Sequence, residues 1–96
     1  MVRRRNQVRP VEWLSSGEWP SGGLVPKAPP EAFAAKAIAL SLEAALEGRS
    51  PRVLAAEANL AHTTIYDLLS GKSYGDVITV SRLEAVLDRS LWPVHK

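Results

Sequence analysis

The chain has 96 residues, enough for a single small core, and a formal net charge of +2. It contains no cysteine, which excludes disulfides and thiolate-bound zinc, and its two histidines, His62 and His95, lie far apart without acidic neighbours at ligand spacing. The most apolar stretch, 32–46, is broken by Lys36 and Glu43 and is too short to span a bilayer, and no apolar segment follows the basic start MVRRRNQVRP as a secretory signal requires. A cytoplasmic protein with no cofactor, metal, membrane partner or evident small-molecule ligand is expected.

Charge is unevenly spread: +3 over residues 1–29, −2 over 30–48 and +1 over 49–96. The cations of the first segment cluster at Arg3, Arg4, Arg5 and Arg9, in a stretch with too little apolar content to fold alone. It reads as a flexible basic arm, suited to a polyanion or simply solvated. Residues 11–19, VEWLSSGEW, hold Trp13 and Trp19 around a Ser-Ser-Gly turn signal, so a small hairpin or an irregular segment laying tryptophans over the domain is expected. Residues 20–30, with four prolines and two glycines, read as a linker. The expected organisation is therefore an arm and Trp/Pro/Gly-rich extension over 1–30 and a helical domain over 31–96.

Residues 31–47 carry the clearest helical pattern. Phe33, Ala37, Leu40 and Ala44 form one stripe, with Ile38, Leu42, Ala45 and Leu46 beside it, and Gly48 is the stop. A second helix begins where Ser50 can cap it and Pro51 suits its first position; Val53, Leu54, Ala55 and Ala58 supply its apolar face. Asn59 tolerates the left-handed conformation that ends a helix. A third helix follows, with Leu60, Ile65, Leu68 and Leu69 apolar, Gly71 at its end, and His62, Thr63, Tyr66, Asp67 and Ser70 polar. After a turn-rich loop, Thr79 can cap a fourth helix containing Leu83, Val86 and Leu87 and ending near Arg89, before a short apolar tail that includes Leu91, Trp92 and Val94. The expected class is all-α, a compact four-helix domain.

Residues 50–71 resemble the helix-turn-helix of the Cro/repressor type, the XRE family. Ala55 matches that motif's small residue, Asn59 takes the place of its glycine, and Leu54, Ala58, Leu60, Ile65 and Leu68 match its apolar positions. Two steeply crossing helices need a small side chain where they touch. Leu69-Ser70-Gly71-Lys72, with Thr79 and Leu83, resemble the continuation into a fourth helix, so the likeness covers about residues 32–91. Ala61 departs from the pattern, standing where a serine or threonine commonly caps the second helix of the motif.

The resemblance implies a lambda-repressor-like fold and a DNA-binding transcriptional regulator, a small repressor, laying residues 62–70 in the major groove of double-stranded DNA. His62, Thr63 and Asp67 then take base-reading positions: His62 donates to guanine, Thr63 offers a methyl to thymine, and Asp67 accepts from cytosine. Arg49, Arg52, Tyr66, Ser70 and Lys72 fall to phosphates, and the Arg3, Arg4, Arg5 and Arg9 arm to the duplex flank. Asp67 has an alternative as a surface acid bonded back to Thr63, and Tyr66 as a ring lying over apolar surface. A two-fold homodimer would fit a palindromic site, with Leu91, Trp92 and Val94, or the 13–19 segment, as interface. A helical protein-interaction module is the competing reading, drawn from Asp67, Ala61 and the near-neutral charge of 49–96. An enzyme is not expected, since no nucleophile–base pair and no phosphate-cradling glycine loop occurs.

Overall fold

The computed structural model describes residues 8–92. A 3-10 turn, Pro10–Trp13, leads into a two-stranded antiparallel ribbon, β1 (Leu14–Ser16) and β2 (Gly23–Leu24). Four helices follow: α1 (Pro30–Leu46), α2 (Pro51–Ala58), α3 (His62–Ser70) and α4 (Val77–Leu87). The protein is thus a mostly helical domain with a very small sheet. No helix among the described residues is long and apolar enough to cross a membrane.

The ribbon corrects the reading of 20–30 as a plain linker. Leu14 pairs with Leu24 and Ser16 with Gly23, an irregular register over strands too short to show a period. Glycine makes the ribbon's turn feasible: a Cβ on Gly22 would lie 2.3 Å from the Ser16 carbonyl oxygen.

The helix ends follow from local chemistry. Ser50 accepts a hydrogen bond from the Arg52 amide (3.1 Å) and Pro51 opens α2, as expected. Asn59 adopts φ 59° and ψ 47°, and the next amide, Leu60, reaches back to the Ala55 carbonyl at 2.8 Å. Ala61 precedes α3 and supplies no capping side chain. For α4 the cap is Asp76 rather than Thr79: its Oδ1 accepts from the Thr79 amide at 2.7 Å, and Thr79 lies inside the first turn and is buried. The aspartate three residues upstream reaches the amide that Thr79 cannot cap for itself. The helix then stops at Asp88, in the left-handed region at φ 55°, one residue short of Arg89.

Of the two apolar stripes of α1, only one faces inward. The buried side is Ala32, Ala35, Ile38, Ala39, Leu42, Ala45 and Leu46, whereas Phe33 is 48% exposed and Leu40 37%. Apolar residues occupy nearly every side of this helix, so periodicity could not choose which faces inward. The core gathers Ile38, Leu42, Leu54, Ile65, Leu83 and Leu91, all buried, with α3 held between α1 and α2 and with α4 packed on α2. Each such side chain contributes about 1.5–3 kcal/mol on burial. Leu91 reaches the core because the Glu84 carboxylate accepts from the Leu91 and Trp92 amides, at 2.6 and 3.2 Å. The apolar tail is therefore anchored inward at Leu91, which is unavailable to a partner. Arg3, Arg4, Arg5 and Val94 lie outside the described residues.

Candidate nucleic-acid interface

α3 buries Ile65 and Leu68 against α1 and α2. A nine-residue helix with those two positions inward turns Thr63, Tyr66 and Ser70 outward at i, i+3 and i+7, and all three are exposed. His62 and Asp67 lie on the flanks of this ridge and are half-buried. The His62 ring meets Tyr66 edge to face, with centroids 6.1 Å apart and planes at 86°, which steadies the outward tyrosine. Ser70 Oγ donates back to the Asp67 carbonyl at 3.4 Å. The Asp67 carboxylate makes no hydrogen bond or ion pair among the described residues, so the bond back to Thr63 is not formed. The outward ridge is therefore Thr63–Tyr66–Ser70, with His62 and Asp67 reaching past its edges.

The expected phosphate contacts divide. Arg49 is engaged within the protein: its Nε donates to the Leu46 carbonyl at the end of α1 (3.4 Å), and its guanidinium lies 3.7 Å from Glu57. Arg52 is exposed in the first turn of α2, with no side-chain partner among the described residues. Lys72 is exposed just beyond α3, its amide bonded to the Asp67 carbonyl at 2.9 Å.

The N-terminal segment is bound to this same end of α3. The Val11 amide donates to the Gly71 carbonyl (3.0 Å), and Trp19 Nε1 donates to the Leu68 carbonyl (3.4 Å). Trp13 Nε1 donates to the Tyr74 hydroxyl, which in turn donates to the Val8 carbonyl. The first two of these bonds end on carbonyls at the C-terminus of α3 and its cap, Leu68 and Gly71. They also bring Arg9 beside Lys72. The two cations, with Ser73, Tyr74 and Gly75, line an open recess of about 330 Å³. Two residues separated by 63 positions in the chain thus form one positive edge beside the end of α3.

Family models, curated proteins and solved structures give no match to this chain.

Two supporting residues carry no signal in the sequence. Arg82 of α4 donates from Nη1 to the Asn59 carbonyl at 3.1 Å, tying α4 to the α2–α3 turn and placing a cation at the negative end of α2. Tyr74, a loop residue, fixes the segment that carries Arg9. Both act across long sequence separations, where no local pattern marks them.

Proposed function

We propose that the protein is a sequence-specific double-stranded DNA-binding transcriptional regulator that presents α3 to the major groove in the manner of a helix-turn-helix. The observation that carries this reading is the exposed polar ridge Thr63–Tyr66–Ser70 on a helix held from behind, with Arg9 and Lys72 at its end. A B-form major groove, about 12 Å wide, admits one helix, and a helix braced on two sides enters it with its side chains fixed. Ala55, on the buried face of α2, is small enough to let α2 and α3 meet closely.

Roles follow from chemistry and position. Thr63, exposed in the first turn, offers a hydroxyl and a methyl to base edges, with His62 and Asp67 reading at the sides. Tyr66, 43% exposed, and Ser70 offer hydroxyls to phosphate oxygens. Arg9 and Lys72 supply the sequence-independent attraction. Fluorescence anisotropy with the protein's own upstream DNA and with scrambled DNA, over several salt concentrations, tests the reading. Equal affinity for both duplexes would defeat it.

A second reading, a module that binds another protein, draws on Val77 and Ile78, which are 68% and 66% exposed at the start of α4. It requires that no duplex binds more tightly than scrambled DNA, and that Val77→Ser with Ile78→Ser abolishes capture of a protein partner.

A further inference from the structure

α1 is apolar on two opposite sides. One is buried in the domain; the other carries Phe33, Ala37, Leu40 and Ala44. These follow at i, i+4, i+7 and i+11, the alternating four-and-three spacing of a coiled-coil seam. At about 100° per residue they lie opposite the side packed on α3. Helices that are apolar all round are normally covered all round.

We propose that this face is closed by the same face of a second copy, with the two α1 helices antiparallel about a two-fold axis between positions 37 and 40. In that register Phe33 opposes the second copy's Ala44, and Leu40 opposes its Ala37, so each large side chain enters the space left by an alanine. Charge fits the same register. Lys36 and Glu43 border the seam on one side, and each falls beside the other residue of the second copy, giving two symmetry-related opposite-charge pairs. Neither Lys36 nor Glu43 forms an ion pair within the chain among the described residues. On the other border Ala34 faces Ser41, without charge.

A parallel pairing achieves neither match. It sets Phe33 on Phe33 and Ala37 on Ala37, leaving the alanine layers hollow, and it places Lys36 by Ser41 and Glu43 by Gly48. A seam of four residues is at the small end of specific interfaces, so association is reversible and in the micromolar range. Because the seam faces away from α3, the pairing leaves Thr63, Tyr66 and Ser70 free and holds whether or not α3 reads DNA.

Sedimentation equilibrium of the full chain, from low micromolar to millimolar concentration, should give a monomer–dimer equilibrium. Leu40→Glu should leave a monomer throughout, with the helical circular dichroism and melting curve of the parent, because Leu40 is outside the core. Lys36→Glu should weaken the dimer about fivefold, as should Glu43→Lys, and the two together should restore it. The chain lacks cysteine, so Ala37→Cys and Leu40→Cys variants mixed under oxidising conditions should give mainly the mixed disulfide. A monomer at every concentration, an unaffected Leu40→Glu dimer, a double charge reversal that fails to recover, or mainly self-paired disulfides would each overturn the proposal.

Discussion

Gly71 and Trp19 are fitted to each other. Gly71 ends α3 at φ 79°, and a Cβ added there would lie 2.8 Å from Trp19 Cδ2 and equally close to the Val11 side chain. One glycine therefore meets two demands, a left-handed helix end and the close approach of the N-terminal segment. Gly71→Ala should lower stability by about 2–4 kcal/mol, combining left-handed strain with overpacking. In a double-mutant cycle read by urea unfolding, Trp19→Ala should recover part of that loss. Strict additivity would show that the indole is not the obstacle.

The exposed ridge of α3 should separate base reading from phosphate contact. Thr63→Ala should reduce affinity for the preferred duplex by about 1 kcal/mol, roughly fivefold, and leave affinity for scrambled DNA unchanged. Tyr66→Phe should weaken binding to both duplexes alike. Competition titrations with the two duplexes measure the difference.

Arg9 and Lys72 share one recess, so their removal should register in salt dependence. Lys72→Ala and Arg9→Ala should each reduce the slope of log affinity against log salt by about 0.9, whatever the DNA sequence. Arg49→Ala, whose guanidinium is engaged by Leu46 and Glu57, should leave the slope unchanged.

Asp76 gives stability a defined acid limb. Hydrogen bonds from the Thr79 amide and then the Thr79 hydroxyl hold its carboxyl below the usual carboxylate range. A depressed folded value means that the contribution is complete above the unfolded pKa of about 4 and is lost as pH falls through the lower folded value. Asp76→Ala should therefore melt below the parent protein at pH 7, with the gap closing in acid. Asp76→Asn keeps the cap's acceptor and should flatten that acid dependence. Thermal melts across acidic pH test both.

Glu84 holds the end of the described chain. Glu84→Ala leaves the Leu91 amide without its acceptor next to a buried side chain, and should cost about 2 kcal/mol. Exchange of the Leu91 amide hydrogen should accelerate well beyond the change in global stability. Acceleration no greater than the global change would mean that Leu91 is held by packing alone.

The sequence alone determined what depends on a residue and its near neighbours. Four helices, the Ser50 cap, the left-handed end at Asn59 and the glycine end at Gly71 were all legible, because each rests on one residue's backbone preference or on a donor two or three positions away. The cap of α4 lies three residues before Thr79, since Asp76 and Thr79 are both competent and only geometry chooses between them. Within the candidate site, the polar side of α3 was visible as a set, but its centre was not. Burial of Ile65 and Leu68 turns Thr63, Tyr66 and Ser70 outward and leaves His62 and Asp67 at the edges.

Tertiary structure decided the rest. It selected the inward side of α1, where apolar residues on every side gave periodicity nothing to discriminate. It folded the tryptophan segment onto the end of α3 and set Arg9 beside Lys72. It also bound Arg82 to Asn59 and Tyr74 to Val8, across 23 and 66 positions. Such contacts join segments that approach one another only when the core closes, and no spacing along the chain records them.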